Sequence, residues 1–83
     1  MDNQELIEHL KVDGYTNLRQ LADGCIVGTI DLMYTRGVCI GLNEWSWERR
    51  YCYQDRGMAT VACNALMSED DEPLAGYVAM RSK

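Results

Sequence analysis

Leu6, Ile7 and Leu10 recur at the spacing of one helical face over Asn3 to Lys11, with Asp2, Asn3 and Glu5 at the end where the helix dipole favours negative charge. A short amphipathic helix is predicted there. It should stop at Val12-Asp13-Gly14, because Gly14 can adopt the left-handed conformation that helix termini use. The pattern then changes period. Thr16 to Ala22 leads into Asp23-Gly24, a pair that marks a tight hairpin when apolar segments flank it. The next strand is expected from Cys25 to about Tyr34. Ile26, Ile30, Leu32 and Tyr34 share a parity that should face the core, with Thr29 and Asp31 on the other side. After a turn at Thr35-Arg36-Gly37, a third strand should run from Gly37 to Leu42, placing Val38, Ile40 and Leu42 together. Asn43 to Ser46 forms the next connection, and Glu48 to Gln54 the fourth strand.

Asp55 is placed to cap a helix over Gly57 to Met67, whose Met58, Val61, Ala62, Ala65 and Leu66 form a stripe at i, i+3, i+4, i+7 and i+8. The acidic run Glu69-Asp70-Asp71-Glu72 and Pro73 then break it, and Gly76 to Arg81 is able to return as a terminal edge strand. The resulting expectation is an α+β fold. A four-stranded antiparallel meander, with a possible terminal edge strand, is packed by one amphipathic helix and carries a short N-terminal helix. The pattern does not say which face the N-terminal helix takes.

Length changes the picture first. Eighty-three residues, 47% of them hydrophobic, suffice for one small domain spanning 1–83. Ordering them costs roughly 1.5 kcal/mol each, so most apolar side chains are needed for the core and a deeply cleft enzyme is disfavoured. The net charge of −5 argues against a general duplex-DNA binder or a polybasic membrane module. No apolar run approaches membrane-spanning length, and the start Met1-Asp2-Asn3-Gln4-Glu5 is acidic where a signal peptide would be basic. A cytoplasmic protein with no membrane partner is expected.

Cys25, Cys39, Cys52 and Cys63 are separated by 13, 12 and 10 residues, without the C-x-x-C knuckle of structural zinc sites. In a reducing compartment they read as buried free thiols, with no metal and no cofactor. His9 has no evident partner in sequence and reads as a helix surface residue. No nucleophile, base or metal-ligand set stands out, so no catalytic residue is assigned and the chain is read as a non-enzyme.

The most unusual segment is Trp45-Ser46-Trp47-Glu48-Arg49-Arg50-Tyr51-Cys52-Tyr53. In an extended strand Trp45, Trp47, Arg49, Tyr51 and Tyr53 would share one side, and Arg50 would project to the other. One reading buries these rings beneath the helix. The other leaves at least the tryptophans exposed beside arginine, the residue mix of a protein-binding hot spot, with Trp45, Trp47, Arg49, Arg50 and Tyr51 as contacts. The same mix would suit stacking on single-stranded bases, with Arg49, Arg50 and Arg56 on phosphates, although Glu44 and Glu48 dilute the positive charge. Asp70 and Asp71 form a second candidate patch, within a run that is more simply a solvated connection and lacks a calcium-loop pattern. A nucleic-acid mimic would need carboxylates spread over a face, to which Asp13, Asp23 and Asp31 would have to contribute.

The stretch from Met33 to Asn43, the strand motif Glu48-Arg49-Arg50-Tyr51-Cys52-Tyr53 and the helix residues Ala59, Ala62, Ala65 and Leu66 resemble small uncharacterised proteins encoded by bacteriophages and prophages. The likeness spans about Leu18 to Lys83. Such proteins commonly continue after the helix with an aromatic residue and a Gly-Pro turn, where this chain has its acidic run. The resemblance implies a genomic setting rather than an activity. It is consistent with an accessory protein that binds a host or phage protein, for example to inhibit a defence system in the anti-CRISPR manner. The rival expectation is a single-stranded nucleic-acid module. Self-association into a homodimer through an exposed edge at Tyr77 to Met80 is a further expectation.

Overall fold

A computed structural model describes residues 3–82. The elements run α1 (Asn3–Val12), β1 (Thr16–Gln20), β2 (Ile26–Asp31), β3 (Arg36–Ile40), β4 (Arg49–Tyr53), α2 (Arg56–Asn64) and β5 (Ala79–Ser82). The five strands form one antiparallel sheet in the order β1-β2-β3-β4-β5. This is the expected α+β meander with its terminal edge strand. The charge at Asp2, invoked for the first helical turn, lies outside the described residues, as does Lys83.

Local chemistry sets the element ends. Gly14 takes a φ of +102°, its N–H donates to the Lys11 carbonyl at 3.1 Å and the Tyr15 N–H to Leu10 at 3.1 Å. Those two bonds satisfy carbonyls that the end of α1 would otherwise leave open. At the β1–β2 hairpin Gly24 has φ +91°, and Asp23 Oδ1 accepts the Cys25 N–H at 3.0 Å, closing the predicted Asp-Gly turn. Asp55 caps α2 as expected, accepting the Met58 N–H at 3.1 Å.

The two helices lie on opposite faces of the sheet. Under α2, Val27, Val38, Ile40, Tyr51 and Tyr53 pack with Ala59, Ala62, Cys63 and Leu66. On the other face Leu6, Ile7 and Leu10 of α1 pack with Ile26, Cys39, Leu42, Ile30 and Trp47. Both faces of the central strands are therefore buried, and a parity rule that assigns one face to solvent fails. Thr29, expected outside, is fully buried under α2, where its hydroxyl lies 2.8 Å from that of Thr16. Ile26 and Ile30 belong to the α1 layer. Strand β2 ends at Asp31, so Leu32 falls in the following turn and Tyr34, expected in the core, is 83% exposed at its tip.

Two further registers differ from expectation. Helix α2 ends at Asn64 rather than Met67; its buried residues are Ala59, Ala62 and Cys63, continued by Leu66 just beyond its end, while Met58, Val61 and Ala65 are exposed. Ala62 and Leu66 are buried as expected, and the buried positions 59, 62, 63 and 66 keep the i, i+3, i+4, i+7 spacing in a phase that turns Met58 and Val61 away from the sheet. Val38 and Ile40 lie under α2, but Leu42 is in the α1 layer, because Gly41 at φ +76° reverses the alternation between them. An L-residue at that φ is strained, which is the reason for glycine here.

All four cysteines are free, three buried and Cys25 half-buried. Burial pushes the Cys39 thiol up to about 12, so it is an inert packing group. His9, expected without a partner, lies 3.3 Å from Asp13 one helical turn on, both exposed.

Candidate interaction surface

The segment Trp45–Tyr53 does not present one face. Strand β4 begins only at Arg49, so Trp45 and Trp47 belong to the connection that precedes it. Within β4, Tyr51 and Tyr53 point under α2, whereas Arg50 lies on the α1 side opposite Cys39. Trp47 also packs on the α1 side, among Leu42 and its neighbours. The expected row Trp45, Trp47, Arg49, Tyr51 and Tyr53 is thus split three ways.

Arg49 and Tyr51 are structural. Arg49 Nη1 donates to the Tyr51 hydroxyl at 2.8 Å, and Nη2 donates to the carbonyls of Glu69 and Asp71. The Tyr51 ring meets Tyr77 edge-on with centroids 4.9 Å apart, and the Tyr53 hydroxyl donates to the Leu74 carbonyl. Burial, with Tyr77 and Tyr51 beside it, raises the Tyr53 hydroxyl to about 12. These residues hold the 65–78 connection onto the sheet.

The acidic run takes part in the same docking. The Asp71 carboxylate accepts the Met67 N–H at 2.8 Å, the Ser68 N–H at 3.2 Å and the Ser68 hydroxyl at 3.2 Å. These bonds, led by the one from Met67, hold its carboxyl below the ordinary aspartate value. Asp23, from the β1–β2 hairpin, accepts the Glu69 N–H at 2.7 Å, which likewise lowers its carboxyl. Glu72 accepts the Tyr77 hydroxyl at 2.9 Å. The run is a folded turn rather than a loose solvated link. Of the two expected contacts in it, Asp71 is occupied internally and Asp70 is exposed.

What remains accessible is Trp45, in the same connection as Trp47, on whose ring Arg50 lies. Trp45 is 90% exposed, yet its loop is fixed. Asn43 Oδ1 accepts the backbone N–H groups of both Trp45 and Ser46 at 2.9 Å, and Asn43 N–H donates to the Ser46 carbonyl at 2.9 Å. Trp47 is half-buried, and the Arg50 guanidinium lies over its ring, 4.7 Å from the centroid. Arg50 Nε is buried with no hydrogen-bond partner. The stem of Arg50 runs across Gly37, where an added Cβ would meet Arg50 Cδ at 3.1 Å.

The sequence pattern gave no signal for Arg81. Strand pairing places it directly opposite Arg50, and it is exposed on the edge strand. Arg56, expected beside Arg49 and Arg50, instead starts α2 near Asp31. The pattern also gave no warning that Met58, Val61, Leu74, Val78 and Met80 would be exposed.

Among the described residues no group of three His, Cys, Asp or Glu side chains is placed to hold a metal ion, and no helix is long and apolar enough to cross a membrane. Comparison of the chain with protein-family models, curated proteins and solved structures gives no match.

Proposed function

We propose that this chain is a non-enzymatic binding protein that docks on a partner protein through the connection into β4, with Trp45 as the anchor and Trp47 and Arg50 beside it. One observation carries the reading. A tryptophan that is 90% exposed sits on a loop whose backbone is already fixed by Asn43. Exposing an indole gives up about 2 kcal/mol or more of possible burial. Fixing the loop in advance removes part of the ordering cost that binding would otherwise incur. Those are the properties of an interface hot spot. The likeness to phage and prophage proteins makes a host protein the first partner to seek, and inhibition by occlusion of a defence component fits an 83-residue fold with one patch.

The single-stranded nucleic-acid reading draws less support. It needs Arg49, Arg50 and Arg56 on one surface, but Arg49 is spent on loop carbonyls and Arg56 lies at the start of α2. The test is capture on immobilised wild type and Trp45→Ala protein from a host lysate, followed by calorimetric titration of the purified captured protein. Loss of about 2 kcal/mol of affinity in Trp45→Ala, with the fold intact, is expected. Equal affinity of the two proteins refutes the reading.

A further inference from the structure

Arg50 and Arg81 stand directly opposite each other on β4 and β5, two like charges at the open edge of the sheet. Such a pair is unfavourable by itself, because like charges facing across strands repel. The ion pairs formed among the described residues are His9–Asp13, Lys11–Glu8 and Arg36–Asp31, so among those residues neither arginine has a carboxylate partner. The contrast with the other arginines is informative. Arg19 donates to the Cys63 and Leu66 carbonyls at the end of α2, Arg36 to Asp31 and Thr60, and Arg49 to the 69–71 turn. Arg50 is held over Trp47 and, like Arg19, keeps a buried Nε without an acceptor, but Arg19 also has the two carbonyls on its Nη2. Leaving a charged donor unsatisfied costs more than an ordinary hydrogen bond contributes.

The edge itself adds a second element. All four residues of β5 are exposed, and the strand has a neighbour only at β4. The opposite edge is closed differently: β1 is interrupted by an irregular register between Thr16 and Arg19, with Asn17 at φ +57° bonded to Asn64. Edge interruptions of that kind discourage strand addition, and β5 lacks one.

We propose that the surface formed by Trp47, Arg50 and Arg81 receives an extended acidic segment of the partner protein, laid along β5. The inference rests on the protein-binding reading above and names the chemistry of the partner. An added strand has side chains at alternate positions on the α1 side, where carboxylates would meet Arg81 and the Arg50 charge behind it. The other side of such a segment faces Met80, opposite Tyr51, and favours apolar residues. Alternating acidic and apolar residues are therefore the expected recognition pattern. The charge of the site is local, within a chain of net charge −5, so binding depends on placement rather than on overall attraction.

The experiment is an anisotropy titration of the whole protein with a fluorescein-labelled peptide of alternating Asp and Leu. A Lys-Leu peptide of equal length and an oligo-dT strand are the controls. Saturable binding of the acidic peptide that weakens with added salt is expected, together with a loss of about tenfold or more in Arg81→Glu and retention in Arg81→Lys. Because Arg81 is exposed, Arg81→Lys should keep the wild-type melting temperature, and Arg81→Glu, which sets a carboxylate opposite Arg50, should equal or exceed it, so that lost binding is not lost folding; both are measured alongside. Indifference to Arg81→Glu, absence of acidic-peptide binding, or preference for oligo-dT overturns the proposal. If capture of a partner still depends on Trp45 while the peptide fails, the acidic chemistry is wrong and the binding reading stands; loss of both removes the reading itself.

Discussion

Replacing Arg49 by alanine separates the structural part of the aromatic-arginine segment from its accessible part. Arg49 donates to the Tyr51 hydroxyl and to the carbonyls of Glu69 and Asp71, so its loss frees the acidic turn from the sheet. Hydrogen bonds from a charged donor contribute about 1.5–3 kcal/mol each when buried. Arg49 is only half-buried, and water can reach the released carbonyls, so the sum should be well below three full bonds. A net loss of about 2 kcal/mol is expected. With an unfolding entropy near 2.1 cal/mol/K per residue, an 83-residue chain has about 0.17 kcal/mol/K at its midpoint, so the melting temperature should fall by about 12 °C. Trp45→Ala should change stability by less than about 0.5 kcal/mol, because the exposed indole is absent from both packed layers. Thermal and urea unfolding followed by circular dichroism measures both. Arg49→Lys, which keeps the charge but not the fork, should fall between wild type and alanine. The assignment is refuted if Trp45→Ala destabilises as much as Arg49→Ala, or if Arg49→Ala loses less than about 0.5 kcal/mol.

Two further outcomes test the architecture. Gly41→Ala combines an unfavourable φ of +76° with a Cβ placed 2.6 Å from Glu48 Cγ, so it should cost about 2–4 kcal/mol in urea unfolding; a near-neutral change would mean that the reversal at Gly41 is not needed. Asp71 and Asp23 are held below the ordinary aspartate value near 3.9, so their stabilising contribution is complete above that value and is lost as pH falls through their lowered folded values. Acid titration of the melting temperature should therefore show a decline below about pH 4 that is shallower in Asp71→Asn, and parallel curves for the two proteins would refute the anchoring role.

Elements governed by local chemistry were legible in the sequence. The Gly14 stop, the Asp23-Gly24 turn and the Asp55 cap each depend on one or two side chains acting on the nearest backbone, and each forms where the residues predict. Hydrophobic parity was less informative, because helices cover both faces of the central strands. Ile26 and Val27, adjacent in β2, are both buried, one in each layer. Alternation identifies a strand with one wet face, and this sheet has few such strands. The stripe on α2 was read in part: Ala62 and Leu66 are buried as expected, but the phase of the helix brings Ala59 and Cys63 to the sheet in place of Met58, Val61 and Ala65.

The interaction surface was legible only as a composition. A strand drawn back to Trp45 puts five residues on one side, but the Asn43 turn ends the preceding connection so late that β4 starts at Arg49. From there Tyr51 and Arg50 must go to opposite layers, and the two arginines that were adjacent in sequence acquire opposite roles. Arg49 has its donors satisfied by carbonyls that come from 20 and 22 residues away, and Arg50 is left against Trp47 and Arg81. Only the register of β5 on β4 makes this visible, since Arg81 lies beyond α2 and the whole acidic turn. The same register explains why the charge stays open. The turn that supplies acceptors to Arg49 lies on the α2 side, and the sheet separates those acceptors from Arg50, so the acidic run cannot neutralise the face that most needs a carboxylate.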